Sequence, residues 1–88
     1  LPMNAEIALA AAQLSTQLNL PVLALFYSQR GLREKPNKEE LLMAKAQALY
    51  MSQRFSESKK YLEQVLKQNP QHKMANMLIV QPWAKAIK

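Results

Sequence analysis

An all-α fold, in which antiparallel helix pairs stack as a short solenoid, is predicted by three features of this chain. First, the sequence repeats itself at a spacing of 34 residues. With residues 5–38 set above 39–72 and 73–88 beneath them, Pro36 falls over Pro70, Leu32 over Leu66, Ala24 over Ser58, and Ala12 over Ala46 and Val80. A period in this range marks a helical repeat, whose units bury their apolar faces only against neighbours. Second, a single Gly among many Ala, Leu, Gln and Lys favours helix. Third, Pro36 and Pro70 stand one period apart, and each ends a stretch of helical patterning.

Five helices follow in order. The first, about residues 4–18, has Asn4 as N-cap and Glu6 in the first turn, where the helix dipole favours an anion. Asn19-Leu20 makes a short break, and Pro21 suits the first position of a second helix because its missing N–H needs no partner there. That helix runs to about Glu34, with Arg30, Arg33 and Lys35 complementing its C-terminal end, and stops at Pro36. Asn37 is the expected cap of a third helix, about 38–53, with Glu39 and Glu40 in its first turn. Ser56 is the expected cap of a fourth, about 57–68, ended before Pro70. A fifth begins near Gln71 or His72, and Pro82 ends or kinks it. Apolar positions recur at helical spacing, with Leu42, Ala46 and Leu49 on one face of the third helix and Ser58, Leu62, Val65 and Leu66 on one face of the fourth. Connections of two to four residues make neighbouring helices antiparallel.

Composition narrows the function classes. There is no Cys and no Asp, the acidic residues are six Glu, and His72 is the sole histidine. No metal site, cofactor or cysteine nucleophile is expected from that set, and no phosphate-binding glycine loop is present, so an enzyme is not expected. The Glu39-Glu40 pair at a helix start is accounted for by the helix dipole, and His72 is expected to be a solvated turn residue. The net charge of +6 is uneven, with −1 over residues 1–29 and +7 over 30–88. Scattered cations of this kind read as a solvated basic face, or as long-range attraction to an acidic partner. Nucleic acid is a minority expectation, through Arg30, Arg33, Lys35 and Lys38 or through Lys59, Lys60 and Lys67, since aromatic interleaving is sparse. Polar residues Gln13, Ser15, Thr16, Gln17 and Asn19 interrupt the most apolar stretch, 7–27, so no membrane helix is expected. A chain beginning on Leu is expected to be a fragment or a processed product, and cytoplasm and periplasm are both compatible with it.

At this point the sequence resembles a tetratricopeptide repeat protein, most clearly over residues 39–70. Ala46 matches the small residue of the repeat's first helix, Leu49 its large partner, Phe55 the aromatic at the turn, Ser58 the small crossing position, and Pro70 the closing proline. The first repeat is weaker. Ala12, Ala24, Gly31 and Pro36 fit, but Ser15 replaces a large residue, Pro21 takes the turn position, and Ala11 and Lys45 depart from the usual leucine. The third begins at Lys73, with Ile79, Val80 and Trp83 at apolar positions, and is broken by Pro82. The resemblance implies one domain over 1–88, with repeats at about 5–38 and 39–72 and a partial repeat or cap at 73–88. It implies a right-handed solenoid of about two and a half repeats, with close helix crossings at Ala12, Ala24, Ala46 and Ser58.

The resemblance further implies a scaffold that binds a peptide or helix of a partner protein in a concave groove lined by the first helix of each pair. The family's groove positions fall on Leu9, Gln13 and Gln17, on Met43, Gln47, Tyr50 and Met51, and on Met77 and Gln81. Gln13, Gln47 and Gln81 align at the 34-residue period, as do Leu9, Met43 and Met77. Amides both donate to and accept from an extended backbone, and thioethers adapt to varied side chains. The same residues also fit ordinary helix surface and core packing, with Tyr50 in the helix junction. Cations that would clamp a C-terminal carboxylate are absent from these positions. Met74, Met77, Trp83 and Ile87 form an apolar C-terminal segment that folds back as a cap, awaits continuation, or supports self-association. By analogy with small members of the family, the expected setting is bacterial envelope or secretion assembly, or a chaperone for one exported subunit.

Overall fold

The computed structural model describes residues 3–87, and every structural statement refers to these. Six helices follow one another, with no strand among the described residues: α1 Ala5–Gln17, α2 Pro21–Glu34, α3 Glu39–Met51, α4 Phe55–Gln68, α5 Lys73–Ile79 and α6 Pro82–Lys85. The first four form two antiparallel pairs. α3 packs against both α2 and α4 and also touches α1, as stacking requires, and the molecule is elongated at 42 × 25 × 19 Å. No described helix is long and apolar enough to cross a membrane.

Local chemistry sets most boundaries. Asn4 caps α1, its Oδ1 accepting from the backbone N–H of Ile7 at 2.9 Å, and Pro21 opens α2. Two expected caps are corrected. α3 starts after Lys38, with no side-chain cap, and the Asn37 carbonyl instead accepts from Gln68 Nε2 at 2.8 Å. α4 starts at Phe55, so Ser56 lies inside it and Arg54 takes the capping position. There the Arg54 guanidinium grips Glu57 bidentately at 2.9 and 2.8 Å, and its hydrogen bond holds the Glu57 carboxyl below its ordinary pKa. The fifth helix ends at Ile79, before Pro82, which then opens the short α6.

The two turns inside the pairs are copies of each other. Asn19 and Gln53, 34 residues apart, both adopt left-handed backbone, with φ of 59° and 61°. After α1, the N–H of Leu20 donates to Ser15 at 2.8 Å and that of Asn19 to Thr16 at 3.0 Å. After α3, Arg54 donates to Leu49 at 2.9 Å and Gln53 to Tyr50 at 3.0 Å. This is the Schellman closure, usually built on Gly and here on polar residues.

The expected close crossings are formed. Ala12, Ala24, Ala46 and Ser58 are fully buried, and the Ser58 hydroxyl donates to the Ala46 carbonyl at 2.7 Å. Lys45, where the family usually carries leucine, extends its ammonium to the Tyr61 hydroxyl at 2.8 Å while its stem stays against the helices. Gly31 lies where three helices meet. A Cβ there would stand 2.6 and 2.9 Å from the two methyls of Leu41 and 3.2 Å from Ala8 Cβ.

Two stability predictions follow from these contacts. Gly31→Ala gains about 1 kcal/mol of helix propensity and loses roughly 1–3 kcal/mol to overpacking. The expected net result is destabilisation of about 1 kcal/mol in urea melts, partly relieved when Leu41→Val is added. Gln53→Gly exchanges a left-handed penalty of ~1–2 kcal/mol for a backbone-entropy cost of ~0.5–1 kcal/mol. It is therefore expected to raise the urea midpoint, whereas Gln53→Val lowers it.

Candidate functional site

A cleft of about 510 Å³ lies between α1 and α3 and is lined by Gln13, Thr16, Gln17, Glu40, Met43, Ala44, Gln47 and His72. The spacings 13, 16, 17 and 40, 43, 44, 47 each describe one helix face, so two helices present flat walls to each other across the opening. Met43 and Ala44 are buried and make its apolar floor. Gln13 and Gln17 are exposed and Gln47 half-buried, which sets three amides around the rim. Thr16 is committed inward, its hydroxyl donating to Ala12 at 3.0 Å. Glu40 is the one formally charged residue on the lining.

His72 is not the solvated turn residue the sequence suggests. It is half-buried and caps α5, with Nδ1 accepting from the Ala75 N–H at 3.1 Å. That bond places the proton of the neutral ring on Nε2, leaving a donor on the ring's other side.

Of the groove residues expected from the sequence, the structure brings Gln13, Gln17, Met43 and Gln47 together in this cleft. The others lie elsewhere. Leu9 is half-buried one turn before Gln13, outside the lining, and Met51 is half-buried at the end of α3. Met77 is 59% exposed on α5. Gln81 precedes α6, and its Oε1 accepts from Trp83 Nε1 at 3.1 Å. Tyr50 is half-buried and shares its ring with Phe55 and Trp83, at centroid distances of 5.8 and 5.3 Å. The lining residues not foreseen are Thr16, Glu40, Ala44 and His72. The first three were reachable by extending each helix face by a turn, whereas His72 depends on where α5 docks.

The C-terminal segment folds back against α3 and α4. Trp83 closes the aromatic cluster, 5.4 Å from Phe55, and Ala84 is fully buried. The Lys59 ammonium donates to the carbonyls of Ala84 at 2.8 Å and Ile87 at 2.6 Å, tying the end of α6 to α4. Met74, Met77 and Val80 stay exposed beside it. Removing the Tyr50 ring deletes two aromatic contacts worth about 0.5–1.5 kcal/mol each. Tyr50→Ala is therefore expected to lower the melting temperature by several degrees and to shift Trp83 emission.

Among the described residues no group of His, Cys, Asp and Glu could hold a metal ion. Neither curated proteins nor solved structures gave a match to the chain. A family model described as tetratricopeptide repeat matches residues 20–81, which run from the first turn through α2, α3, α4 and α5. With a matching model over most of its length and two stacked helix pairs crossing at small residues, this chain belongs to the tetratricopeptide repeat family.

Proposed function

We propose that this domain is a protein-interaction module whose α1–α3 cleft takes an extended segment of a partner protein, neutral or basic in character. The observation that carries this reading is the convergence of Gln13, Gln17 and Gln47 around a Met43–Ala44 floor. An extended peptide offers one donor and one acceptor at each residue, and a glutamine amide satisfies either. The apolar floor receives a side chain from every second residue of the strand, and Met43 adapts to its shape.

Charge refines the ligand. The domain is basic overall, yet no Lys or Arg lines the cleft, and Glu40 sits at its edge. A terminal carboxylate finds no cation there, while a Lys or Arg of the partner finds Glu40. Lys59 is engaged with backbone carbonyls, so one of the three α4 cations that a nucleic-acid ligand would use is already occupied.

The test is selection of peptides from a random display library on the 88-residue chain, followed by anisotropy titration of the selected peptides. Gln13→Ala with Gln47→Ala is expected to weaken binding at least tenfold, with each side chain an anchor worth over ~1 kcal/mol and the melting temperature unchanged. Glu40→Gln is expected to weaken basic peptides selectively. Selected peptides that bind the double variant as tightly as the parent would overturn the reading.

A further inference from the structure

An apolar surface is left open among the described residues at the N-terminal end of the stack. Ile7, Leu14 and Leu18 are 48%, 55% and 59% exposed, and with Ala11 they follow one another at steps of four, three and four residues. That is the a/d spacing of a coiled-coil seam. Ile7 lies nine residues, about two and a half turns, from Thr16, so the seam faces away from the cleft and from α3. On α2, Leu23 is likewise nine residues from Leu32, which packs onto the core of the second pair. Leu23 therefore looks out on the same side as the seam, with Leu20 at the turn between them.

Repeat register shows what this face is shaped for. One period on, Ile7 becomes Leu41 and Leu14 becomes Ala48, both fully buried in the stack, while Ala11 and Leu18 become the half-buried Lys45 and Ser52. Ile7 and Leu14 thus occupy positions that are buried where one pair stacks on another, and no described residue covers them here.

We propose that a second copy of this chain covers it, in a two-fold dimer with the α1 helices antiparallel. Three observations favour that occupant. The seam is complementary to itself: an axis midway between Ala11 and Leu14 sets Ile7 against Leu18 of the other copy and the small Ala11 against the large Leu14. Residues 7–29 contain no charged side chain, so two copies meet without like-charge repulsion despite a net charge of +6. The five leucine and isoleucine side chains leave on the order of 450 Å² of apolar surface, within the ~300–600 Å² of the largest patch on a monomer, a size often tied to function. About three fifths of an interface is apolar, so this is the share expected of the ~800 Å² that each partner buries in a stable complex. The cleft stays open in this arrangement, because Gln13 and Thr16 lie on the other side of α1.

Sedimentation velocity over a concentration series tests the proposal. The 88-residue chain is expected to be dimeric at tens of micromolar. Leu14→Glu is expected to weaken the dimer at least a hundredfold with helical circular dichroism retained, and Met77→Glu at the opposite end to leave it unchanged. Register is tested by crosslinking, since the chain has no cysteine of its own. A mixture of Ile7→Cys and Leu18→Cys copies is expected to form the mixed disulfide faster than either forms its own. A monomer at all concentrations, a dimer indifferent to Leu14→Glu, loss of the dimer with Met77→Glu, or preferred self-crosslinking of either cysteine variant would each overturn it.

Discussion

Everything in this molecule is arranged around the absence of a side chain at Gly31. Leu41 of the second pair occupies the space a Cβ would need, and Ala8 of the first helix closes in from the other side. Three helices from two pairs are thereby brought within backbone-approach distance at one point. The alanines and serines above and below, Ala12, Ala24, Ser28, Ala46 and Ser58, keep the axes close along the rest of their length. Apolar contact alone lets helices slide along each other. The Ser58 hydroxyl on the Ala46 carbonyl removes that freedom, since its partner atom exists at one height only. The spacing of α1 and α3, and with it the width of the cleft, follows from this close stacking.

The C-terminal end is held by a different kind of force. α5 and α6 are too short to bring a full apolar face, and they are secured by an aromatic cluster, one ammonium on two carbonyls, and Ala75 and Ala84 set into the core. Lys59 is the informative residue. As a sequence feature it belongs to a basic helix face, and in the structure its ammonium is spent on the carbonyls of Ala84 and Ile87 at the end of α6. The broken third repeat thus covers part of the second pair's apolar face, with Leu78, Ile79 and Trp83 against its core.

The parts legible in the sequence were those whose cause is local or periodic. Pro21, Pro36 and Pro70 act on their own turns, so the helix pairs and their ends could be read directly. The 34-residue period then placed Ala12, Ala24, Ala46 and Ser58 at crossings, and placed Gln13 beside Met43 and Gln47. What escaped had a non-local or disguised cause. The left-handed turns at Asn19 and Gln53 lack the glycine that announces such a closure. Helix starts at Arg54 and Lys38 use no capping side chain, so the hydroxyl of Ser56 and the amide of Asn37 pointed elsewhere. Tyr50 meets Trp83 only because the chain doubles back after Pro82, and His72 reaches the cleft only because α5 docks on α4. No pattern within α3 or in the turn before α5 carries that information.

His72 has two attachments whose joint effect is dynamic. One ring nitrogen holds the first turn of α5, while the ring lines the cleft between α1 and α3. The last two helices carry the fewest anchoring contacts in the chain, which makes them the segment that opens at the lowest free energy. A ligand resting on His72 also steadies the cap of α5, and its occupancy reaches α6 through the same short helix. Amide hydrogens of residues 76–79 and 85–87 would then exchange with solvent more slowly, although none of them faces the cleft. Slowed exchange at this end of the chain is thus a remote reporter of binding in a groove formed mainly by α1 and α3.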